Sequence, residues 1–142
     1  MSIFVKGNKT MKKIVSFNLA GKILLGAFFL MLVLHVLILS QVVPENIVWG
    51  GQINDDQSNL LPVEIIAISI TLIFTGIIAA KIGLINVGKL KKAIHVGTWV
   101  VFAYLILNIF GNFASGISAE TLFFGPLTIV MAFCALRLAI EK

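Results

Sequence analysis

Charge is scarce in this chain. Only 12% of its 142 residues are charged, whereas 59% are hydrophobic. A soluble domain carries about a quarter charged residues, so this composition cannot solvate a globular surface. Cysteine is limited to Cys134, which excludes an intrachain disulfide and, as a lone thiol, a zinc site. The two histidines, His35 and His95, are widely separated and give no ligand spacing, so no metal is expected. No Gly-rich loop enters a helix after a strand, and no other cofactor motif is present. Internal repeats, heptads and the inverted halves of a transporter are also lacking.

What fills the chain instead is four apolar runs, each long enough to cross a bilayer at about 20 residues per span. They read as Phe17–Val43, Leu61–Ile82, Ala93–Ala114 and Thr121–Ile140. The stretch from Leu24 to Leu39 is too long for the core of a signal peptide and no small-residue cleavage site follows, so a retained first span is expected. Between the first two runs lie Glu45, Asp55 and Asp56 and no base; between the second and third lie Lys81, Lys89, Lys91 and Lys92 and no acid. All eleven Lys and Arg residues then fall on one side of a membrane, accompanied there by Glu141 alone. Because basic loops stay in the cytoplasm, the expected architecture is an all-α integral membrane four-helix bundle. It forms a single domain over residues 1–142, with both termini cytoplasmic.

The excess of base reads as orientation and as contact with anionic lipid of the inner leaflet. Nucleic-acid binding is not expected, since the bases are few and flank the spans. Pro44 is expected to stop the first span, Pro62 to lie in the first turn of the second, and Ser118 or Thr121 to cap the fourth. Gly21, Gly26, Gly76 with Ala80, and Gly111 mark faces where helices can approach closely.

Counted at 1.5 Å per residue from the outer surface, His35, Asn108 and Thr128 each lie about 10 Å down their spans, and Glu64 and Asn112 about 3–4 Å down. Ser69 reaches the same layer from the second span. Polar groups at membrane depth normally face the bundle interior, and Asn108 and Asn112, four apart, share one helix face. Glu64 and His35 supply a carboxylate and an imidazole, the side chain that titrates near neutral pH. Each also has a plainer explanation: Asn108 and Asn112 bonding a neighbouring helix, Glu64 complementing a helix dipole, His35 bonding a carbonyl or Thr128. Trp49 fits an interfacial belt, Arg137 an orientation anchor, and His95 a solvated surface. Cys134 fits small apolar packing.

The segment Pro44-Glu45-Asn46-Ile47-Val48-Trp49-Gly50-Gly51 is the most distinctive of the chain. Its apolar centre sits badly in water and its glycine pair permits a sharp turn, so it is expected to fold over the outer mouth of the bundle as a lid. Through this Pro-x-x-Ile-Val-Trp-Gly-Gly element the sequence resembles a group of small bacterial four-span membrane proteins of uncharacterised function. Glu64, Asn108-Ile109-Phe110-Gly111-Asn112, and Pro126-Leu127-Thr128 with Arg137 downstream extend the likeness. The resemblance implies a shared fold in a bacterial cytoplasmic membrane and carries no activity with it. The four-span sterol-isomerase and sigma-2-receptor bundles are similar in architecture and intramembrane polar residues only, an analogy of fold.

Three functional expectations follow. In the first, a lipid or small amphiphilic ligand places its polar end among His35, Glu64, Asn108, Asn112 and Thr128 beneath Trp49. The second is a proton-shuttling isomerase using His35 or Glu64. The third is a transport or channel subunit, which four spans require to be a homo-oligomer. An accessory subunit is the remaining alternative if the polar layer serves helix-to-helix bonding alone.

Overall fold

The computed structural model of the chain describes the backbone of residues 14–44 and 57–141 and the side chains of 14–44 and 60–141. The lid segment, Trp49 included, lies outside the described residues. The described chain is helical: α1 (Phe17–Leu39), α2 (Gln57–Lys81), a short 3-10 turn at Gly88–Leu90, α3 (Lys91–Ala114), a π-helical turn at Glu120–Phe124, and α4 (Gly125–Ala139). Four of these stretches, Phe17–Leu39, Leu60–Lys81, Gly88–Ala114 and Glu120–Ala139, are long and apolar enough to cross a membrane.

Local chemistry sets the ends. Ser16 is extended and its Oγ accepts from the Leu19 N–H, capping α1. The far end of α1 stops at Leu39, short of Pro44, in a motif that sequence reading assigned to the proline. Gln41 takes a left-handed conformation (φ 58°). Its N–H then donates to the Ile38 carbonyl and the Val42 N–H to the Leu37 carbonyl, the paired bonds that close a Schellman end. Gly83 (φ 84°) ends α2 the same way, with Leu84 N–H bonded to Ala79 and Gly83 N–H to Ala80. At its other end α2 begins at Gln57, a turn earlier than expected, so Pro62 falls inside the helix rather than in its first turn.

The helices pack as a closed ring: α1 on α2, α2 on α3, α3 on α4, and α4 back on α1. His35 with Glu64 and Gly21 with Ile82, Phe74 with Tyr104 and Ile77 with Gly97, and Asn112 with Thr128 beside Arg137 with Val15 give an up-and-down bundle. α4 is the strut of this ring. Half of its span is buried, against 22% for α1 and α2 and 17% for the third. Its small residues Ala132, Cys134, Ala135 and Ala139 admit Leu24, Phe28, Ile78 and Val101 into one core.

Of the glycines expected at close contacts, only Gly21 makes one: a Cβ there would collide with Ile82 of the segment following α2. Gly26, Gly76 and Gly111 face open space. The close approaches occur instead at Gly97, against Ile77, and at Gly125, against the Phe113 ring. Spacing motifs miss these positions because glycine is needed only where a large neighbour leans on that side of the helix, which a single helix does not encode.

Burial runs opposite to that of a soluble fold. Phe29, Leu30, Ile66, Leu107, Phe110 and Phe123 are all at least 58% exposed, whereas Glu64, Thr98, Glu120, Thr128 and Arg137 are buried. An outer apolar belt with the few polar groups turned into the interior is the arrangement that hydrocarbon demands, since lone polar groups there are unfavourable by several kcal/mol.

A polar cavity at the end opposite the lysines

The helix ends far from Lys81, Lys89, Lys91 and Lys92 enclose a cavity of about 170 Å³. His35 comes from α1, Thr71 from α2, Asn108 and Asn112 from α3, Glu120 from the π turn and Thr128 from α4. Phe28, Phe74, Tyr104 and Phe124 supply aromatic wall, with Tyr104 set edge-on to Phe74 at a centroid distance of 5.0 Å. A cavity near 150 Å³ accepts one benzene-sized ring, so the space suits a headgroup or a short chain segment.

His35 Nδ1 lies 2.6 Å from Glu64 Oε2. The helix-dipole explanation of Glu64 therefore fails: the carboxylate is fully buried and meets the imidazole of the neighbouring helix. His35 has Glu64 as a partner across the helix pair. A carboxyl group without solvent needs such a partner, because desolvation otherwise disfavours its charged form. Glu64 does not itself line the cavity; it stands behind His35 and fixes the ring.

Asn112 Nδ2 donates to Thr128 Oγ1 at 2.9 Å, and Thr128 in turn donates to the Phe124 carbonyl. The Asn112 carbonyl accepts from Thr121 Oγ1 at 3.2 Å and from Ser115 Oγ at 3.3 Å. Thr121 thus ties α4 to α3 instead of capping its own helix, and Ser118 donates no cap to α4. Asn112 serves as helix-to-helix bonding. Asn108 does not: it is half-buried, lines the cavity, and makes no hydrogen bond among the described residues. Ser69 is exposed and donates to the Ile65 carbonyl of its own helix, so it leaves the polar layer and Thr71 takes its place.

Glu120 was assigned from sequence to the outer surface, yet it is only 7% exposed and borders the cavity. In an uninterrupted α-helix Glu120 and Thr128, eight apart, would diverge by about 80°. The π turn, closed by Gly125 N–H on the Glu120 carbonyl, winds more widely and brings both to one side. Such turns often accompany functional sites. The available signal was an acid placed directly before an apolar run; the rotation that buries it is not visible in residue types.

Metal chemistry has no support in the arrangement: among the described residues no three His, Cys, Asp or Glu side chains cluster. The sequence matches no known family, no curated protein and no solved structure.

Proposed function

We propose that the chain is a four-pass integral membrane protein with its lysine-bearing end and both termini in the cytoplasm, and that its outer-half cavity binds a small amphiphilic molecule or lipid. The membrane is the cytoplasmic membrane of a bacterium, as the likeness through Pro44–Gly51 implies. The observation that carries the binding reading is Asn108. Its amide has two donors and an acceptor facing a cavity already furnished with His35, Glu120 and Thr128, and buried amides are normally satisfied. A ligand headgroup would complete it, with the aromatic wall around the adjoining chain. Trp49 would cover the mouth.

Photolabelling tests this. An alkyl probe bearing a diazirine next to a hydroxyl head should label the cavity segments around His35, Asn108 and Thr128, and Asn108→Leu should remove that labelling. Labelling confined to the outer belt, at Phe29, Leu107 and Ile129, and unchanged by Asn108→Leu, would refute the reading. Orientation is tested by thiol accessibility in a Cys134→Ala background: Asp55→Cys and Lys89→Cys should react from opposite sides of the membrane. Reaction from one side would discard the topology.

The His35–Glu64 contact favours a second reading, an isomerase in which the carboxylate orients the imidazole and the ring passes protons to a bound substrate. This reading requires Glu64→Gln to keep the photolabel while abolishing solvent-deuterium exchange into an unsaturated amphiphile; retained exchange would remove it.

A further inference from the structure

The opposite end of the bundle holds a larger cleft, about 760 Å³, between the last turn of α2, the 82–90 connection and the first turn of α3. Among the described residues Lys81, Lys91, Lys92 and His95 line it and no carboxylate does. The nearest acid is already engaged: Glu141 Oε2 lies 2.8 Å from Arg137 Nη1, and the Glu141 carbonyl accepts from Lys81 Nζ at 2.6 Å. His95 Nδ1 stands 3.1 Å from Lys81 Nζ, which draws the half-buried pair together at the wall.

The start of α3 makes this concentration of positive potential more pronounced. Its first turn contains Lys91 and Lys92, no acidic residue and no side-chain cap. The 3-10 turn Gly88–Leu90 runs straight into α3, with its Gly88 and Leu90 N–H groups bonded to Asn86 Oδ1 and the Val87 carbonyl, so the helix start adds the positive end of its dipole, where cations raise the energy and an anion lowers it. The fold itself supplies no such anion among the described residues of the cleft. Phe17, Ile85, Val87 and Ile94 add apolar walls, and Asn86, whose side-chain oxygen accepts from the Gly88 N–H at 3.1 Å, shapes the connection across it. Phosphate beside hydrocarbon is the chemistry that such a cleft matches, and basic pockets between spans on the cytoplasmic side take anionic headgroups.

We infer that this cleft binds a phosphate group, supplied by an anionic phospholipid headgroup or by free phosphate, through Lys81, Lys91, Lys92 and the N-terminal turn of α3. The site is separate from the outer cavity and stands or falls independently of it. Lys91 and Lys92 are exposed, so their replacement leaves the core intact.

The experiment follows thermal unfolding of the purified chain in a mild non-ionic detergent at fixed ionic strength, titrating phosphatidylglycerol, phosphatidylcholine or inorganic phosphate. Phosphatidylglycerol should raise the midpoint and phosphatidylcholine should not. The double variant Lys91→Gln/Lys92→Gln should need roughly 25-fold more phosphatidylglycerol for the same shift, at about fivefold per lysine. Lys22→Gln, at the same end of the bundle but outside the cleft, should titrate as the parent does. Stabilisation by inorganic phosphate that the double variant loses would also support the site and identify free phosphate as its source. The inference is overturned if no phosphate compound stabilises the chain, if phosphatidylcholine does so equally, if the double variant is unaffected, or if Lys22→Gln weakens the response as much as the double variant does.

Discussion

The two ends of the bundle handle polar groups in opposite ways. At the cavity end short side chains turn inward and find one another across helices: His35 with Glu64, Asn112 with Thr128. At the lysine end long side chains reach the margins, and those that are more buried are fastened to the start of α1 and to the residues that follow α4. Arg137, 3% exposed, donates from Nε to the Val15 carbonyl at 3.2 Å and lies 6.0 Å over the Phe17 ring, while Lys81 holds the Glu141 carbonyl. Cross-helix pairs position a site; Arg137 closes the ring by holding α4 to the start of α1, and Lys81 holds α2 to Glu141 beyond α4. Arg137 is therefore a structural clasp, a role that the orientation anchor expected from its place in the sequence does not include.

That contrast can be broken most forcefully at His35. His35→Ala removes the imidazole from a fully buried carboxyl group and should destabilise the fold by about 3–5 kcal/mol, whereas His35→Leu/Glu64→Leu, which removes both groups, should recover most of the loss. Unfolding in detergent reads both; a His35→Ala protein as stable as the parent would show that the pair is not the interior contact described. At the other end Arg137→Met keeps much of the volume and loses the charged bonds to Val15 and Glu141, for an expected loss of about 2–3 kcal/mol. Proteolysis within residues 14–20 should accelerate in that variant and not in His35→Ala, which separates a clasp from a general loss of stability.

The smallest effects sharpen the picture at Gly21 and Gly26. Gly21→Ala drives a methyl into Ile82 and should be unfavourable by about 1–2 kcal/mol. Gly26→Ala meets open space and should be neutral or stabilising by up to about 1 kcal/mol, since alanine favours helix. Equal midpoints for the two variants would mean that α1 and α2 do not meet at Gly21 as closely as described.

The four helices were legible because hydrocarbon imposes one crude requirement, length and apolarity, that each run satisfies by itself. The depth count puts His35, Asn108 and Thr128 at one level and Asn112 nearer the surface, and all four border one cavity. Where the reading went astray, the deciding quantity was rotation about a helix axis. Glu64 was placed near the surface, but its side chain turns toward α1 and vanishes behind His35. Ser69 sits at the right depth on the wrong side. Glu120 needed a change of winding that no residue in Glu120–Phe124 announces. Helix ends were similarly elusive: Gln41 adopts a conformation that usually calls for glycine, so Pro44 drew attention to itself four residues too late.

The surplus residue in the Glu120–Phe124 turn divides one helix into two independent registers. Below it, Ala132, Ala135 and Leu138 remain locked against their neighbours. Within it, helical phase decides whether Glu120 looks into the cavity. Deleting a single residue from that turn would swing Glu120 by about 100° and leave the lower register where it is. Insertions and deletions there become a dial for pocket polarity, so chains built on this plan can diverge in what they hold while their packed halves stay nearly superimposable.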